Sequence, residues 1–291
     1  MKTLLQYWKR IYFQFDRKLE NAIRQQHLAA QFVALVGRYL VPQTPDSGNI
    51  NMQYQANNEM LLGNKLENGI QVGLQLSKLE LHVFKPNKKK VDIIQLHGKS
   101  FEYIFAELRM VLSDAEIEIS RLKNEQPYDL SSNFLIDNNF SNSNQSELVA
   151  ATVLRHNAEV IINELAKEFK NALPVRVWPH HFDTGTFFAT ARNNAGEVSQ
   201  TIGLGWAIPD EMINEPYFYL SFWSENELRN ISRLTPLKTG KWMTPGWKGA
   251  VLKHSEMIHE TSARKQHLLV KQFFTDGVSI LTRLFKKSAL L

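Results

Sequence analysis

Strict alternation of apolar and polar residues recurs in two stretches of this chain, and it constrains the fold more than any other feature. Such alternation is typical of antiparallel strands with one face buried and the other solvated. In the first stretch, residues 49–97, the apolar phase reverses at Ser77–Lys78, which requires a turn or a bulge. The second stretch predicts strands at about residues 174–178, 183–191, 198–206 and 216–223.

Apolar residues at steps of three and four flank both strand-rich stretches and predict helices. These helices cover residues 3–40, 100–112, 147–171 and 255–286, with Ser100 as the expected N-cap of the second. The sequence therefore predicts an α+β fold with two topologically similar halves, each an antiparallel sheet with flanking helices. No GxGxxG motif, P-loop or βαβ alternation points to a doubly wound nucleotide-binding fold.

An Asn- and Ser-rich segment without periodicity separates the two halves. Residues 123–146 are predicted to be a linker or a long surface loop. Residues 1–122 form the first predicted domain, with an N-terminal helix, antiparallel strands and a short helix. Residues 147–291 form the second, which contains the candidate site and the C-terminal helix.

Composition excludes several classes of protein. The chain of 291 residues has 43% hydrophobic and 22% charged residues, as soluble globular proteins do. It has no cysteine, which excludes disulfides, thiolate nucleophiles, iron–sulfur clusters and cysteine-based zinc sites. No apolar run reaches the roughly 18 residues that a membrane span needs, and no signal peptide is predicted at the start. We expect a cytoplasmic location.

The net charge of +5 is concentrated at the two ends of the chain. Residues 1–40 carry seven Lys/Arg and two Asp/Glu, and residues 252–291 carry seven and three. We interpret these charges as solvated faces of amphipathic helices, because no nucleic-acid module accompanies them. Binding to nucleic acid is therefore not predicted. An alternative hypothesis is an interaction or scaffold protein that uses the basic terminal helices, including Arg17, Lys18 and Arg24.

The strongest candidate for a functional site is the region of residues 174–223. It places histidines and an aspartate beside tryptophans, tyrosines and a glutamate, and a later loop adds one more tryptophan. The candidate catalytic residues are His181 and Asp183, and the candidate ligand-binding residues are Trp178, His180, Trp206, Glu215, Tyr217, Tyr219 and Trp247.

Strand geometry predicts how these side chains point. On residues 183–190, Asp183 begins what we expect to be the more apolar face. His181 would point the same way if the strand extends that far, and His180 the opposite way. In the strand at 216–223, Tyr217 and Tyr219 share a face that combines large rings with polar tips. Such a face is typical of a pocket wall, or of a face covered by the C-terminal helix.

Four interpretations of this region follow. The leading one is a pocket that binds a small molecule. A second is acid–base chemistry by His181 and Asp183 in a hydrolase-like enzyme. A third is a divalent metal held by His181, Asp183 and Glu215, although H-H-x-D matches no defined metal motif. In the fourth, the residues are structural. The sequence identifies no cofactor and no oligomeric state.

Four short motifs resemble a prokaryotic family of domains of unknown function. They are Phe182-Asp183, Gly205-Trp206-Ala207-Ile208-Pro209, Pro216-Tyr217-Phe218-Tyr219 and Trp247-Lys248-Gly249-Ala250. The resemblance covers most of the chain and implies membership without an activity. The two residues before Phe-Asp vary in the family, which favours Asp183 over His180 and His181 as a functional position.

Overall fold

The computed structural model describes residues 8–85, 90–128, 130, 138–228, 231, 234–244 and 246–288. Within them the chain has five α-helices and eleven strands, and all strand pairing is antiparallel. The predicted α+β class is confirmed. In the described part of the chain no helix is long and apolar enough to cross a membrane.

The chain divides into two compact units. We call Asp16–Val153 with Arg176–Phe182 the amino-terminal unit, and Met1–Phe15 with Leu154–Val175 and Asp183–Leu291 the carboxyl-terminal unit. Helix α3 (Gln145–Ala166) is continuous across the division between Val153 and Leu154.

The amino-terminal unit is built on helix α1 (Arg17–Leu40) and an antiparallel sheet in the order β1-β2-β3-β4-β5. Its strands are Gln53–Gln55, Met60–Leu62, Gln71–Gln75, Glu80–Lys85 and Lys90–Gln95. The predicted phase reversal at Ser77–Lys78 is a turn between β3 and β4. Helix α2 (Phe101–Ser113) begins at its predicted N-cap, where Oγ of Ser100 accepts a hydrogen bond from the backbone N–H of Tyr103.

The predicted start of the first helix is wrong for the residues that can be described. Residues 8–16 are not helical, and residues 3–7 of the prediction lie outside the described residues. The backbone N–H of Lys9 donates to Asn157 Oδ1, and that of Ile11 donates to Gln266 Oε1. These two backbone N–H groups therefore donate to side chains and not to the carbonyl groups of a helix. Helix α1 then begins after Asp16, whose Oδ1 accepts from the N–H of Leu19 at 2.9 Å.

The carboxyl-terminal unit contains the sheet strands that carry the candidate site, in the order β10-β11-β9-β8-β7. These are β7 (Asp183–Arg192), β8 (Val198–Ala207), β9 (Tyr217–Ser224), β10 (Lys241–Trp242) and β11 (Gly249–Lys253). Three of them, β7 to β9, match their predicted bounds within one or two residues. β10 and β11 were not among the predicted strands, and β11 owes its extended form to pairing with β9.

Helix α5 (Ala263–Ser288) packs on the apolar face of this sheet. Phe274 meets Phe218 edge-on at 5.8 Å between ring centroids, and Gly277 allows the helix to approach Leu220 closely. The single predicted C-terminal helix is wrong, because residues 258–262 separate α4 (His254–Met257) from α5. Ser262 caps the new helix by accepting a bond from the N–H of Lys265.

Candidate functional site

The predicted site residues fall into two sets, one in each unit. Strand β6 (Arg176–Trp178) ends with half-buried Trp178 in the amino-terminal unit, and the turn that follows contains His180 and His181. The other candidates, Asp183, Trp206, Glu215, Tyr217, Tyr219 and Trp247, belong to the carboxyl-terminal unit.

The turn after Trp178 is fixed by buried groups of helix α1. The carbonyl oxygen of Pro179 accepts from Nε2 of His27 at 2.8 Å and from Nε2 of Gln31 at 3.0 Å. Phe182 is fully buried, stacks on His27 at 5.0 Å between centroids and has a φ of 53°. Strand β7 begins at Asp183, as predicted, and does not extend to His181.

Both histidines of this turn are exposed and lie side by side. The ring centroids of His180 and His181 are 4.3 Å apart, and the His180 ring is 6.1 Å from that of Tyr128. They do not point to opposite faces of a strand, because a turn carries them. Among the described residues, no group of three or more His, Cys, Asp or Glu side chains could hold a metal ion.

In the carboxyl-terminal unit, Tyr219 and Asp183 form the centre of the site. The Tyr219 hydroxyl donates to Oδ2 of Asp183 at 2.6 Å. The strand pairing aligns Gly185, Gly205 and Tyr219 in one row across β7, β8 and β9. A Cβ at Gly205 would overlap the Tyr219 ring, and one at Gly185 would lie 3.0 Å from its hydroxyl. The ring therefore crosses β8 in the space that the two glycines leave.

We predicted that Asp183 begins the more apolar face of its strand, and this prediction is wrong. On β7, Thr184, Thr186 and Phe188 are buried, whereas Asp183 is half-buried and Phe187 is 44% exposed. Hydrogen bonds make the burial of the threonines possible. Thr184 accepts from Arg155, and Thr186 donates to the carbonyl of Leu173.

A second tyrosine–aspartate pair lies beside the first. The Tyr217 hydroxyl donates to Oδ2 of Asp210 at 2.6 Å, and the rings of Tyr217 and Tyr219 are 6.4 Å apart. Oδ1 of Asp210 accepts from the backbone N–H groups of Met212 and Ile213, which holds the loop before β9 in place. Asp210 was not among the site residues predicted from the sequence, although its bond to Tyr217 links this loop to β9.

Of the remaining candidates in this unit, one lies beside Tyr219 and two lie elsewhere. Trp247 meets Tyr219 edge-on at 6.2 Å and therefore belongs to the site. Trp206 pairs in register with Phe218, is 1% exposed and lies on the opposite, α5-covered face. Glu215 accepts from the N–H and the hydroxyl of Ser255, and Lys253 lies 3.6 Å from it. That carboxylate anchors the start of α4.

Protonation of the two tyrosines follows from their surroundings. Burial, then the hydrogen bond to Asp210 and its charge, raise the pKa of Tyr217 far above its usual range. Burial and the charge of Asp183 likewise raise the pKa of Tyr219. Both phenols therefore stay neutral near pH 7 and act as hydrogen-bond donors.

Stability should depend on pH through His254, at the start of α4. Its Nε2 donates to the carbonyl of Phe13 at 3.0 Å, and its buried Nδ1 has no hydrogen-bond partner among the described residues. Burial lowers the pKa of this imidazole below its usual 6.5, against the opposing influence of Phe13 and Glu215. The unfolded chain thus binds the proton more readily, so this contribution to stability is present above about pH 6.5 and lost as the pH falls.

Urea unfolding at about pH 7.5 and about pH 5.5 would measure this dependence. We expect the free energy of unfolding of the wild type to fall further between these pH values than that of His254→Gln, which cannot protonate. Equal falls in the two proteins would contradict the assignment. His259→Gln is the matched control, because His259 is exposed.

No protein-family model, curated protein or solved structure matches this chain. The family resemblance stays a prediction.

Proposed function

We propose that this protein binds a small molecule on the face of the sheet that carries Tyr219 and Asp183. One observation carries the proposal. Tyr219 crosses a glycine-lined row of the sheet to donate a hydrogen bond to Oδ2 of Asp183, whereas Oδ1 accepts none from the described residues of this unit. The tyrosine thus holds a half-buried carboxylate in one orientation and leaves one oxygen for a ligand.

Partial burial of a carboxylate has an energetic cost unless its oxygens are paired or hydrogen-bonded. A charged group removed from water is destabilising unless it is paired or hydrogen-bonded. Here a single neutral phenol supports Asp183, and no Lys or Arg of the carboxyl-terminal unit forms an ion pair with it in the described ranges. A ligand with hydroxyl or amino donors would supply the missing interaction.

Aromatic side chains on the face of the sheet that carries Asp183 supply the apolar part of a binding surface. Trp247 borders the Tyr219 ring, and Phe187 and Trp223 on the same face are 44% and 49% exposed. Small-molecule sites typically combine apolar and aromatic walls with a few fixed polar groups. The expected ligand therefore has both an apolar surface and hydrogen-bond donors.

Two observations favour binding over the other hypotheses. The acid–base hypothesis needs His181 and Asp183 on one strand face, but β7 begins only at Asp183 and His181 lies in the turn before it. Helix α1, which the scaffold hypothesis needs as a basic surface, exposes Arg17 and Lys18 in its first turn but is buried on all sides from residue 25 to residue 37. One of its charges, Arg24, is already paired with Glu20 at 2.8 Å.

A thermal-shift screen with sugars, polyols, amines and amino alcohols would test this function. We expect at least one compound to raise the melting temperature of the wild type. Asp183→Asn should bind that compound about tenfold more weakly, because a hydrogen bond to a charged group stabilises by roughly 1.5 kcal/mol. The asparagine can still accept the Tyr219 bond, so the variant should fold.

Glu197→Gln is the matched control, because Glu197 is an exposed carboxylate on the β7–β8 hairpin of the same unit. It should bind like the wild type. Equal binding by wild type and Asp183→Asn, or a panel without any stabilising compound, would contradict the proposal.

A further inference from the structure

Three aromatic rings of the carboxyl-terminal unit lie next to one another at steep angles. The centroids of Tyr217 and Tyr219 are 6.4 Å apart with an interplanar angle of 57°, and those of Tyr219 and Trp247 are 6.2 Å apart at 77°. Rings that are not parallel can present a face and an edge to one guest. An ammonium group is attracted to the negative face of an aromatic ring. Tyr217 is buried, so the rings that such a group can contact are those of half-buried Tyr219 and Trp247.

The two tyrosines each donate to a carboxylate, which makes their rings better partners for a cation. Tyr217 donates to Asp210 and Tyr219 to Asp183, both at 2.6 Å. A phenol that donates to an anion gains electron density, and its ring face becomes more negative. The two carboxylates also add charge of the same sign around the rings.

The two lysines next to these rings in the sequence or the strand register are either close to a carboxylate or exposed. Lys253, which pairs in register with Tyr217, lies 3.6 Å from Glu215. Lys248 follows Trp247 and is exposed. Among the described residues of this unit neither Asp183 nor Asp210 forms an ion pair. A ligand with its own positive charge would therefore meet an aromatic surface whose two carboxylates pair with no Lys or Arg among the described residues of this unit.

From these contacts we infer that the site takes an organic cation, with a compact tertiary or quaternary ammonium group on the rings of Tyr219 and Trp247 and beside Asp183. The inference rests on the proposed function and narrows its ligand class. Sugars and polyols, which the proposed function also allows, lack the charge that this arrangement selects. Discrimination between charged and neutral ligands of one shape is therefore the property to measure.

Calorimetric titration of the full chain with choline and with its uncharged carbon isostere, 3,3-dimethylbutanol, isolates the charge. We expect choline to bind at least about tenfold more tightly than the isostere. Trp247→Leu should weaken choline binding by about tenfold, and Trp247→Phe, which keeps a ring, by less. Asp183→Asn should remove much of the preference for choline over the isostere. Circular dichroism would establish that each variant is folded.

The outcomes separate this inference from the proposed function. If both compounds bind with equal affinity, or neither binds while a neutral compound from the thermal-shift panel does so through Asp183, the cation inference is overturned and the ligand site stands. If nothing in either experiment binds, both fail. Choline binding that is unchanged in Trp247→Leu and Asp183→Asn would also overturn the inference, because the cation would then bind elsewhere.

Discussion

Replacement of Gly205 by alanine is expected to lower the free energy of unfolding by about 2 kcal/mol, the range seen when a methyl group is forced into a filled space. An added Cβ would overlap the Cζ, Cε1 and hydroxyl positions of Tyr219. The ring cannot remain in place, so its bond to Asp183 should be lost as well. Urea unfolding of wild type and Gly205→Ala would measure the change.

A double-mutant cycle provides the control for this prediction. In a Tyr219→Ala background the ring is absent, and the same Gly205→Ala change should cost little, because all three nearest atoms to the added Cβ belong to Tyr219. The difference between the two costs is the coupling between Gly205 and the ring. If Gly205→Ala destabilises both backgrounds equally, Tyr219 does not occupy this space.

Arg155→Ala is expected to destabilise the protein even more, by about 3 kcal/mol. The Arg155 side chain extends from helix α3 and is 1% exposed. Its guanidinium lies 4.8 Å from the ring centroid of Trp206, and its Nη1 donates to the hydroxyl of Thr184 at 2.8 Å. Truncation would leave a cavity beside Trp206 and remove a buried hydrogen bond.

Two variants make the Arg155 experiment specific. Arg155→Lys keeps the charge but loses the planar group that lies on Trp206, so it should also be destabilised. Arg264→Ala changes an exposed arginine of helix α5 in the same unit and should stay within about 0.5 kcal/mol of the wild type. If Arg155→Ala is as mild as Arg264→Ala, the stack on Trp206 does not stabilise the fold.

Periodicity in the sequence predicted the regular elements that bury one face. Strands β7, β8 and β9 follow the alternation of their own residues and were predicted almost to the residue. Strand β11 was missed, because Gly249–Lys253 does not alternate and becomes extended only through its partner. Residues 8–16 have helical spacing, but side chains more than a hundred residues away hold their backbone outside a helix.

Residue types alone predicted part of the candidate site. The register of strand pairing determines which of the other candidates lie on the same face. Asp183, Tyr217, Tyr219 and Trp247 were identified and do lie together in the carboxyl-terminal unit. Trp206 was included wrongly in this group. Whether Trp206 and Tyr219 share a face depends on how β8 pairs with β9. That pairing cannot be read from either strand alone.

One signal in the sequence could have revealed the Tyr219 arrangement. Gly203 and Gly205 are two residues apart in β8 and therefore share one face, which marks a close approach of side chains from a neighbouring strand. The partners of Asp210 and Arg155 carried no such signal. Their bonds join positions that only the folded chain brings together.

A crystal structure of the protein with the tightest-binding compound of the two ligand experiments would test the central claim most directly. The measured quantity is the distance from the ligand to Oδ1 of Asp183. We predict ligand density within hydrogen-bond distance of that oxygen, or an ammonium group beside it, with the Tyr219 ring still across Gly205. Ligand density elsewhere on the protein, with no ligand atom near Asp183, would contradict the account.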